Sequence, residues 1–388
     1  MKKTLAIILA LAMLVSLTCT ALADDAAPIK VGVYMPLTGS NAGSGTVQLQ
    51  GIQMAFEEAN ATGGINGRQL EIISYDSTGT SEGATKAATR LIENDGVQVV
   101  IGSFLSANIL AVSELTENAK VLHVGAGTGA TWTNIGLDYT YRATANGNLP
   151  VASAVEELVD CGYKSIALIS VESDYGQSGH DAVLSNCAEK GIEVKADITY
   201  QSADTDFTGV ISKAFSSGAE TVFIYGQGEE LALITKQFRL NGYEGLIFTV
   251  EGGANSEVLT VAGSAADGVV FSATYVVPDA PENGATELIR EVLNKYYSQY
   301  GEMPFSDCFY RGYDEGSLVV EALRNAADPD SGESIKDAFK AISGLDLLGG
   351  TFDFTPATGD GLEQANQWMI MDGKVQPYDK EALLAFVE

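Results

Sequence analysis

From Val97 to Thr133 the chain reads VQVVIGSFLSANILAVSELTENAKVLHVGAGTGATWT, two short apolar runs separated by one helix-length segment, with each run closed by glycine. Val99–Ile101 is β-branched at consecutive positions, the pattern of a strand buried on both faces. Gly102 ends it, and Ser103, Ser106 and Asn108 stand where a helix opens. Val121–Val124 repeats the pattern and runs into Gly125-Ala126-Gly127-Thr128. Two neighbouring strands of a parallel sheet deliver both turns to one edge. There, N–H groups and the hydroxyls of Ser106 and Thr128 can hold a small anion such as a carboxylate. Helix capping is the competing reading of each hydroxyl.

The first 23 residues stand apart from this pattern. Lys2 and Lys3 precede the apolar Leu5–Leu17, and Ala21-Leu22-Ala23 is an A-x-A site, so residues 1–23 are expected to be a signal peptide. The apolar stretch is too short to span a membrane. Cys19 follows Ser-Leu-Thr, which departs from a lipoprotein box at Ser16, so cleavage after Ala23 is expected over a lipid anchor. The product is exported, to the periplasm or the outer face of the cytoplasmic membrane. About 365 of the 388 residues are left, more than one hydrophobic core holds comfortably, so two domains are expected. Losing Lys2 and Lys3 takes the basic residues from 22 to 20, against 51 acidic, a net charge of −31. Nucleic acid and anionic membrane are poor partners for such a chain. Cys161, Cys187 and Cys308 are an odd number in the exported part, which argues against a disulfide framework, although Cys161 and Cys187 could pair.

Strand and helix patterns alternate twice. Ile29–Tyr34 reads as a strand, Pro36–Gly45 as a long turn, and a helix follows with Leu49, Ile52, Phe56 and Ala59 on one face. Leu70–Tyr75, Ala84–Asn94 and the central stretch complete a first unit. The composition breaks at Tyr141–Pro150, and the rhythm restarts with strands at Ser165–Ser170, Glu193–Tyr200, Thr221–Tyr225, Leu246–Val250 and Val269–Tyr275. A second crossing falls near Val276–Pro278, helices follow at Thr286–Tyr300 and Tyr313–Ala326, and Leu347–Thr355 reads as a third crossing. Gln367–Met371 with Asp372-Gly373 reads as a closing hairpin. The fold class is therefore α/β, two doubly wound lobes joined by three crossings. The expected lobes are 24–144 plus 276–352, and 145–275 plus 353–388. Such sheets bind ligands at the C-terminal ends of their strands, so two lobes facing each other there enclose a cleft.

Enzyme motifs are missing. There is no G-x-S-x-G, H-E-x-x-H, paired C-x-x-C, EF-hand loop or P-loop; Gly176-Gln177-Ser178-Gly179 lacks the strand–elbow–helix context. His123 sits in an apolar strand and His180 on a helix face, both structural or solvated. Gly125–Ala130 satisfies G-x-G-x-x-A but lacks an acidic residue about 20 positions on, so no dinucleotide is expected. No cofactor, metal or catalysis is expected.

Met35-Pro36-Leu37-Thr38-Gly39, Gln50-Gly51-Ile52-Gln53-Met54-Ala55, Gly63-Gly64-Ile65-Asn66-Gly67-Arg68, Val100-Ile101-Gly102-Ser103, Asp174-Tyr175-Gly176 and Gly312-Tyr313-Asp314 occur in an order and spacing that is specific as a set. The chain resembles the extracytoplasmic solute-binding proteins of the branched-chain amino acid (leucine/isoleucine/valine) type that serve ABC importers. The resemblance implies a type I periplasmic binding protein, a clamshell. It implies that the positions of Ser106 and Thr128 hold the ligand's carboxylate and that the Ala126 carbonyl takes its ammonium. It further implies Tyr175 as the aromatic that closes over the ligand and Glu251 as the ammonium's counter-charge. The implied partners are a small-molecule ligand and permease subunits, with the chain a monomer.

Departures from that pattern bear on specificity. The N-terminal loop often carries an aromatic near Ser44, where this chain has Asn41-Ala42-Gly43-Ser44-Gly45. Asp307 falls where the family often has a tyrosine, and Gln227 lies in a hinge loop without a second aromatic. Ser44, Gln227 and Asp307 together suggest a roomier, more polar pocket and a ligand with a polar or cationic side chain partnered by Asp307. The alternatives are a binding protein for urea or short amides, and a ligand sensor feeding a separate receptor.

Overall fold

The computed structural model describes residues 27–39, 41–129, 132–133, 135–172, 174–201, 204–226, 228–254, 258–362 and 365–387. The leader, Cys19, Gln227 and the side chain of Tyr175 lie outside the described residues. The chain begins with β1 (Ile29–Met35), α1 (Ala42–Ala61), β2 (Leu70–Asp76), α2 (Ser81–Glu93), β3 (Val99–Ile101), α3 (Ser106–Ala119), β4 (Leu122–Gly125) and β5 (Thr140–Arg142). These strands form one parallel sheet in the order β2-β1-β3-β4-β5. Val99 pairs with Leu122 and Ile101 with Val124, so the two glycine-closed runs are adjacent and their turns share an edge, as their patterning predicts.

A second sheet follows, built on α4 (Asn148–Asp160), β6 (Ser165–Val171), α5 (Asp174–Lys190), β7 (Glu193–Tyr200), α6 (Thr208–Ser216), β8 (Thr221–Tyr225), α7 (Gly228–Leu240), β9 (Ile247–Thr249) and β10 (Val269–Ala273). The chain then returns to the first lobe with α8 (Glu287–Tyr300), α9 (Cys308–Asn325), α10 (Gly332–Lys340), β11 (Ser343–Leu347) and β12 (Gly350–Asp353). It finishes with β13 (Asn366–Met371), β14 (Lys374–Pro377) and α11 (Lys380–Val387). The second sheet runs β14-β13-β10-β9-β8-β6-β7, parallel except for the antiparallel hairpin β13–β14 at one edge. Every residue of β6 and β8 is buried, which is why those runs lack alternation.

Each sheet has its own core. Val31, Val33, Ile101 and Val124 pack with Ile52, Phe56, Leu318 and Phe352 on one face of the first sheet. Ile169, Ile224 and Phe271 anchor one face of the second, with Leu168, Phe223 and Phe248 on the other. Glycines set how closely the first lobe's helices approach. A Cβ on Gly51 would lie 2.2 Å from the Phe309 carbonyl oxygen, and one on Gly312 would lie 1.9 Å from that of Gln48. The Gln50-Gly51 and Gly312-Tyr313 motifs are thus one contact between α1 and α9, where backbone meets backbone.

Three elements differ from the sequence reading. The helix expected from about Leu49 begins at Ala42, because Gly45 lets the chain turn directly over Pro36; a Cβ there would lie 2.1 Å from the Pro36 carbonyl oxygen. The helix expected from Tyr313 begins at Cys308. Leu347–Thr355 is occupied by the hairpin β11–β12 and its exit, with Phe352 and Phe354 buried in the first lobe, instead of by a strand passing between lobes.

Candidate functional site

The C-terminal ends of β3 and β4 carry the first wall of the site. Gly127 and Gly129 wrap the Ser106 hydroxyl so closely that a Cβ on either would lie 2.6 or 2.9 Å from it. The Ser106 oxygen accepts the Gly129 N–H at 3.0 Å. Ser106 therefore does not cap its helix; it ties the turn after β4 to the start of α3 and keeps its own O–H proton to donate. Behind the turn, Arg142 is fully buried and stacks on Trp132 at 4.1 Å. It donates to the carbonyls of Gly127 and, at 2.8 Å, Gly129, while Asp360 takes its Nε–H at 2.6 Å. Arg142 thus sets the shape of the 127–129 turn, a role that nothing in the composition break around it announced.

Asp76 at the end of β2 accepts the Leu37 N–H at 2.9 Å, the Thr38 hydroxyl at 2.6 Å and the Thr78 N–H at 2.7 Å. It holds the Met35–Gly39 loop at the same edge. These bonds depress the Asp76 carboxyl against the opposing effect of its burial.

A cleft of about 1380 Å³ lies between the lobes. Thr128, Asp307 and Arg311 line it from the first lobe, and Tyr225 and Glu251 from the second. Thr128 presents a hydroxyl with no partner among the described residues, and its carbonyl accepts the Gly147 N–H at 2.7 Å. Glu251 opens a short 3-10 turn beyond β9, and Gly252 is pressed onto the neighbouring loop, where a Cβ would lie 2.0 Å from the Gly226 carbonyl oxygen. Burial pushes the Glu251 carboxyl up to about 7; the Arg311 charge draws it down and Asp307 pushes it further up. The three charges therefore act on one another across the cleft.

Arg311 was not among the expected residues. Its Nε and Nη2 donate to Asp307 Oδ2 at 2.9 and 2.6 Å, and its Nη1 donates to the Ala126 carbonyl at 2.9 Å. Two expected site residues meet it. Asp307, the helix N-cap position one turn before Arg311, gives its Oδ2 to that guanidinium. The Ala126 carbonyl, assigned to a ligand ammonium, already accepts a charged donor. The clue available in sequence was the Asp-x-x-x-Arg spacing, which makes an i,i+4 pair once the helix starts at Cys308.

Ser44 lies in the first turn of α1, near the buried Cys308 thiol, whose pKa burial pushes up to about 12. Phe305, from the segment before α9, comes close to this turn. Its ring packs over Gly43, where a Cβ would lie 3.4 Å away, and it lines the cleft while 77% exposed.

His123 is structural. It is buried, with Nε2 2.8 Å from the Tyr34 hydroxyl and 3.0 Å from the Gly102 carbonyl, and burial lowers its pKa to about 4. His180 lies on the half-buried face of α5 between Asp181 and Asp197. Cys161, Cys187 and Cys308 are free thiols. Among the described residues no group of three or more His, Cys, Asp or Glu could hold a metal, and no helix is long and apolar enough to cross a membrane.

Two doubly wound lobes with a cleft between them are the architecture of a solute-binding protein of the clamshell class. The chain belongs to the periplasmic binding protein family, whose model matches residues 28–373. That family binds substrates and is not enzymatic. A leucine-, isoleucine-, valine-, threonine- and alanine-binding protein of Pseudomonas aeruginosa is 27% identical over 359 residues, 91% of each chain. A Leu/Ile/Val-binding protein homolog of Brucella suis is 28% identical over 341 residues, 84% of each. Among solved structures, a leucine binding protein from Thermotoga maritima superposes with a TM-score of 0.68 at 25% identity, covering 90% of this chain and 98% of that one. An ABC transporter substrate-binding protein from Sphaerobacter thermophilus superposes with a TM-score of 0.78 at 22% identity, covering 91% and 97%, a likeness of fold.

Proposed function

We propose that this chain captures an amino acid in the cleft and delivers it to an ABC importer. The observation that carries this reading is that Thr128 of one lobe and Glu251 of the other line a single cleft. A hydroxyl beside a glycine turn suits a carboxylate, and a carboxylate facing it from the other lobe suits an ammonium. A ligand that touches both is held only when the lobes close, so binding shifts the population toward the closed form. The relatives named for leucine, isoleucine and valine support amino acids as the ligand class. Tyr175 and Gln227 are proposed to join the site from the second lobe.

The lobes are proposed to hinge where the chain passes between the sheets, at 143–148, 275–279 and 362–366. Leu362 packs with the first lobe's core and Asn366 opens β13 of the second sheet, which supports the last of these. The closed form is what permease subunits would recognise on a monomeric, exported protein.

The test is a thermal-shift screen of residues 24–388, freed of carried ligand by refolding, against the proteinogenic amino acids, ornithine, urea and short amides. A ligand at 100 times its Kd adds about 2.7 kcal/mol of stability, which moves the Tm by several degrees. Hits confined to α-amino acids support the proposal. Hits on urea or amides alone, or silence throughout, overturn it.

A further inference from the structure

We propose that Asp314, Tyr275 and Asn366 form the pivot of this protein, a buried node that gathers all three passages between the lobes onto α9 and confines their motion to opening and closing. The proposal rests on the two-lobe capture reading above and names the residues that position its moving parts.

Asp314 belongs to the Gly312-Tyr313-Asp314 motif of α9, none of which lines the cleft, and it is fully buried. Its Oδ1 accepts the Leu348 N–H at 3.0 Å and its Oδ2 the Gly349 N–H at 2.8 Å, so it holds the turn of the β11–β12 hairpin. The second passage joins through Tyr275. That hydroxyl lies 3.0 Å from Asp314 Oδ2 and 3.3 Å from the Ala143 carbonyl, with its one proton shared between them. Ala143 opens the first passage, and its own N–H donates to Gly125 of β4 at 2.8 Å. The Tyr275 ring packs among first-lobe side chains and stacks on Tyr310 at 5.8 Å.

Asn366 ties in the third passage. Its two amide hydrogens go to the Thr274 carbonyl at 2.8 Å and the Gly349 carbonyl at 3.3 Å. Ala273 and Asn366 are also register partners in the second sheet, so the second and third passages leave that sheet side by side. One carboxyl and one amide therefore connect every passage to the same point of the first lobe.

Groups on the axis of a rotation move least. Bonds placed there persist while the lobes turn, and they oppose the twisting and sliding that would draw the passages apart. A hinge held to one direction of motion has less conformational entropy to lose when a ligand brings the lobes together. Tyr275 and Asn366 are thus positioning residues: removing either bond set weakens ligand binding although the cleft is left intact.

The experiment is small-angle X-ray scattering and calorimetric titration with L-leucine on residues 24–388 as wild type, Tyr275→Phe and Asn366→Ala. Tyr275→Phe keeps the ring and its stack and loses both bonds. Without ligand, each variant should show a larger radius of gyration than the wild type, and saturation with leucine should restore the wild-type curve. The leucine Kd should rise about fivefold in each variant. Should Tyr275→Phe fail to fold, Asn366→Ala decides alone from a different passage. A lower Tm with Kd and unliganded scattering unchanged makes the node a brace within the first lobe and overturns the proposal. Tighter binding with a smaller unliganded radius makes it a latch on the open form and overturns it equally. Failure of leucine to bind the wild type counts against the amino-acid reading, and the unliganded scattering of the variants then decides the pivot by itself.

Discussion

Arg311 donates to the carbonyl of Ala126 at 2.9 Å, joining a helix late in the chain to the turn after β4, 185 positions earlier. The same guanidinium is held by Asp307 one helical turn before it. Together they bring an ion pair to a cleft whose other wall carries Glu251. The pairing explains why Asp307 tolerates a half-buried position; Glu251 sits high because it is buried, with the Arg311 charge opposing the rise and Asp307 adding to it.

Ligand affinity is expected to depend on pH through Glu251. Its pKa stands near 7 without ligand, and an ammonium beside it favours the charged form, so the bound-state value is lower. Binding then releases a proton near neutrality. Affinity is full above pH 7 and falls as pH drops through that value, by about tenfold between pH 8 and 5.5. Titration with L-leucine in buffers of different ionisation enthalpy measures the proton released. Glu251→Gln should bind more weakly at pH 8 and show a flat profile; a wild type with a flat profile contradicts the assignment.

The fold itself should be more stable on the acid side of neutrality. Glu157 is buried between α4 and β10, accepts the Ser272 hydroxyl at 3.0 Å, and burial pushes it up to about 8. Asp314 is buried and raised to about 7, even though the Leu348 and Gly349 N–H groups and the Tyr275 hydroxyl all donate to it. Both folded-state values exceed the unfolded ones, so the native state binds more protons. Stability is therefore unaffected below the ordinary carboxylate range and declines as pH rises from about 4.5 through 8. Glu157→Gln should match the wild type in urea unfolding at pH 5 and exceed it at pH 9, by on the order of 2 kcal/mol. Equal differences at the two pH values would contradict burial of the charge.

Gly312→Ala should destabilise the first lobe. The added Cβ would lie 1.9 Å from the Gln48 carbonyl oxygen, a backbone atom that cannot swing aside, so α1 and α9 must separate. A loss of about 1–3 kcal/mol is expected, seen as a Tm lower by several degrees. Gly209→Ala is the control: it lies in α6 with nothing within 4 Å of an added Cβ, and should be neutral or stabilising. Equal effects of the two substitutions would refute the packing account.

The legible part of this chain was where its strands lie. Runs such as Val99–Ile101 and Leu122–Val124 are buried on both faces, and buried parallel strands leave few other readings. The Thr128 turn was legible for the same reason, since it follows such a strand, whereas Glu251 is named only by the family resemblance. Helix starts were less legible. Gly43, Ser44 and Gly45 resemble a turn, yet Gly45 is required by contact with Pro36; Asp307 resembles a loop acid, yet it begins the helix that holds Arg311. The second of those starts accounts for missing Arg311. Arg142 and Phe305 were illegible because their roles depend on partners distant in the chain, Gly127 and Asp360 for one and Gly43 for the other.

The most direct test of capture between two closing lobes is small-angle X-ray scattering of residues 24–388 with and without L-leucine, or with the amino acid that the thermal screen selects. The account predicts a smaller radius of gyration on saturation, with Glu251→Gln requiring more ligand for the same change. An unchanged scattering curve at a ligand concentration that raises the Tm would mean that the ligand binds one lobe alone, and would contradict the clamshell reading.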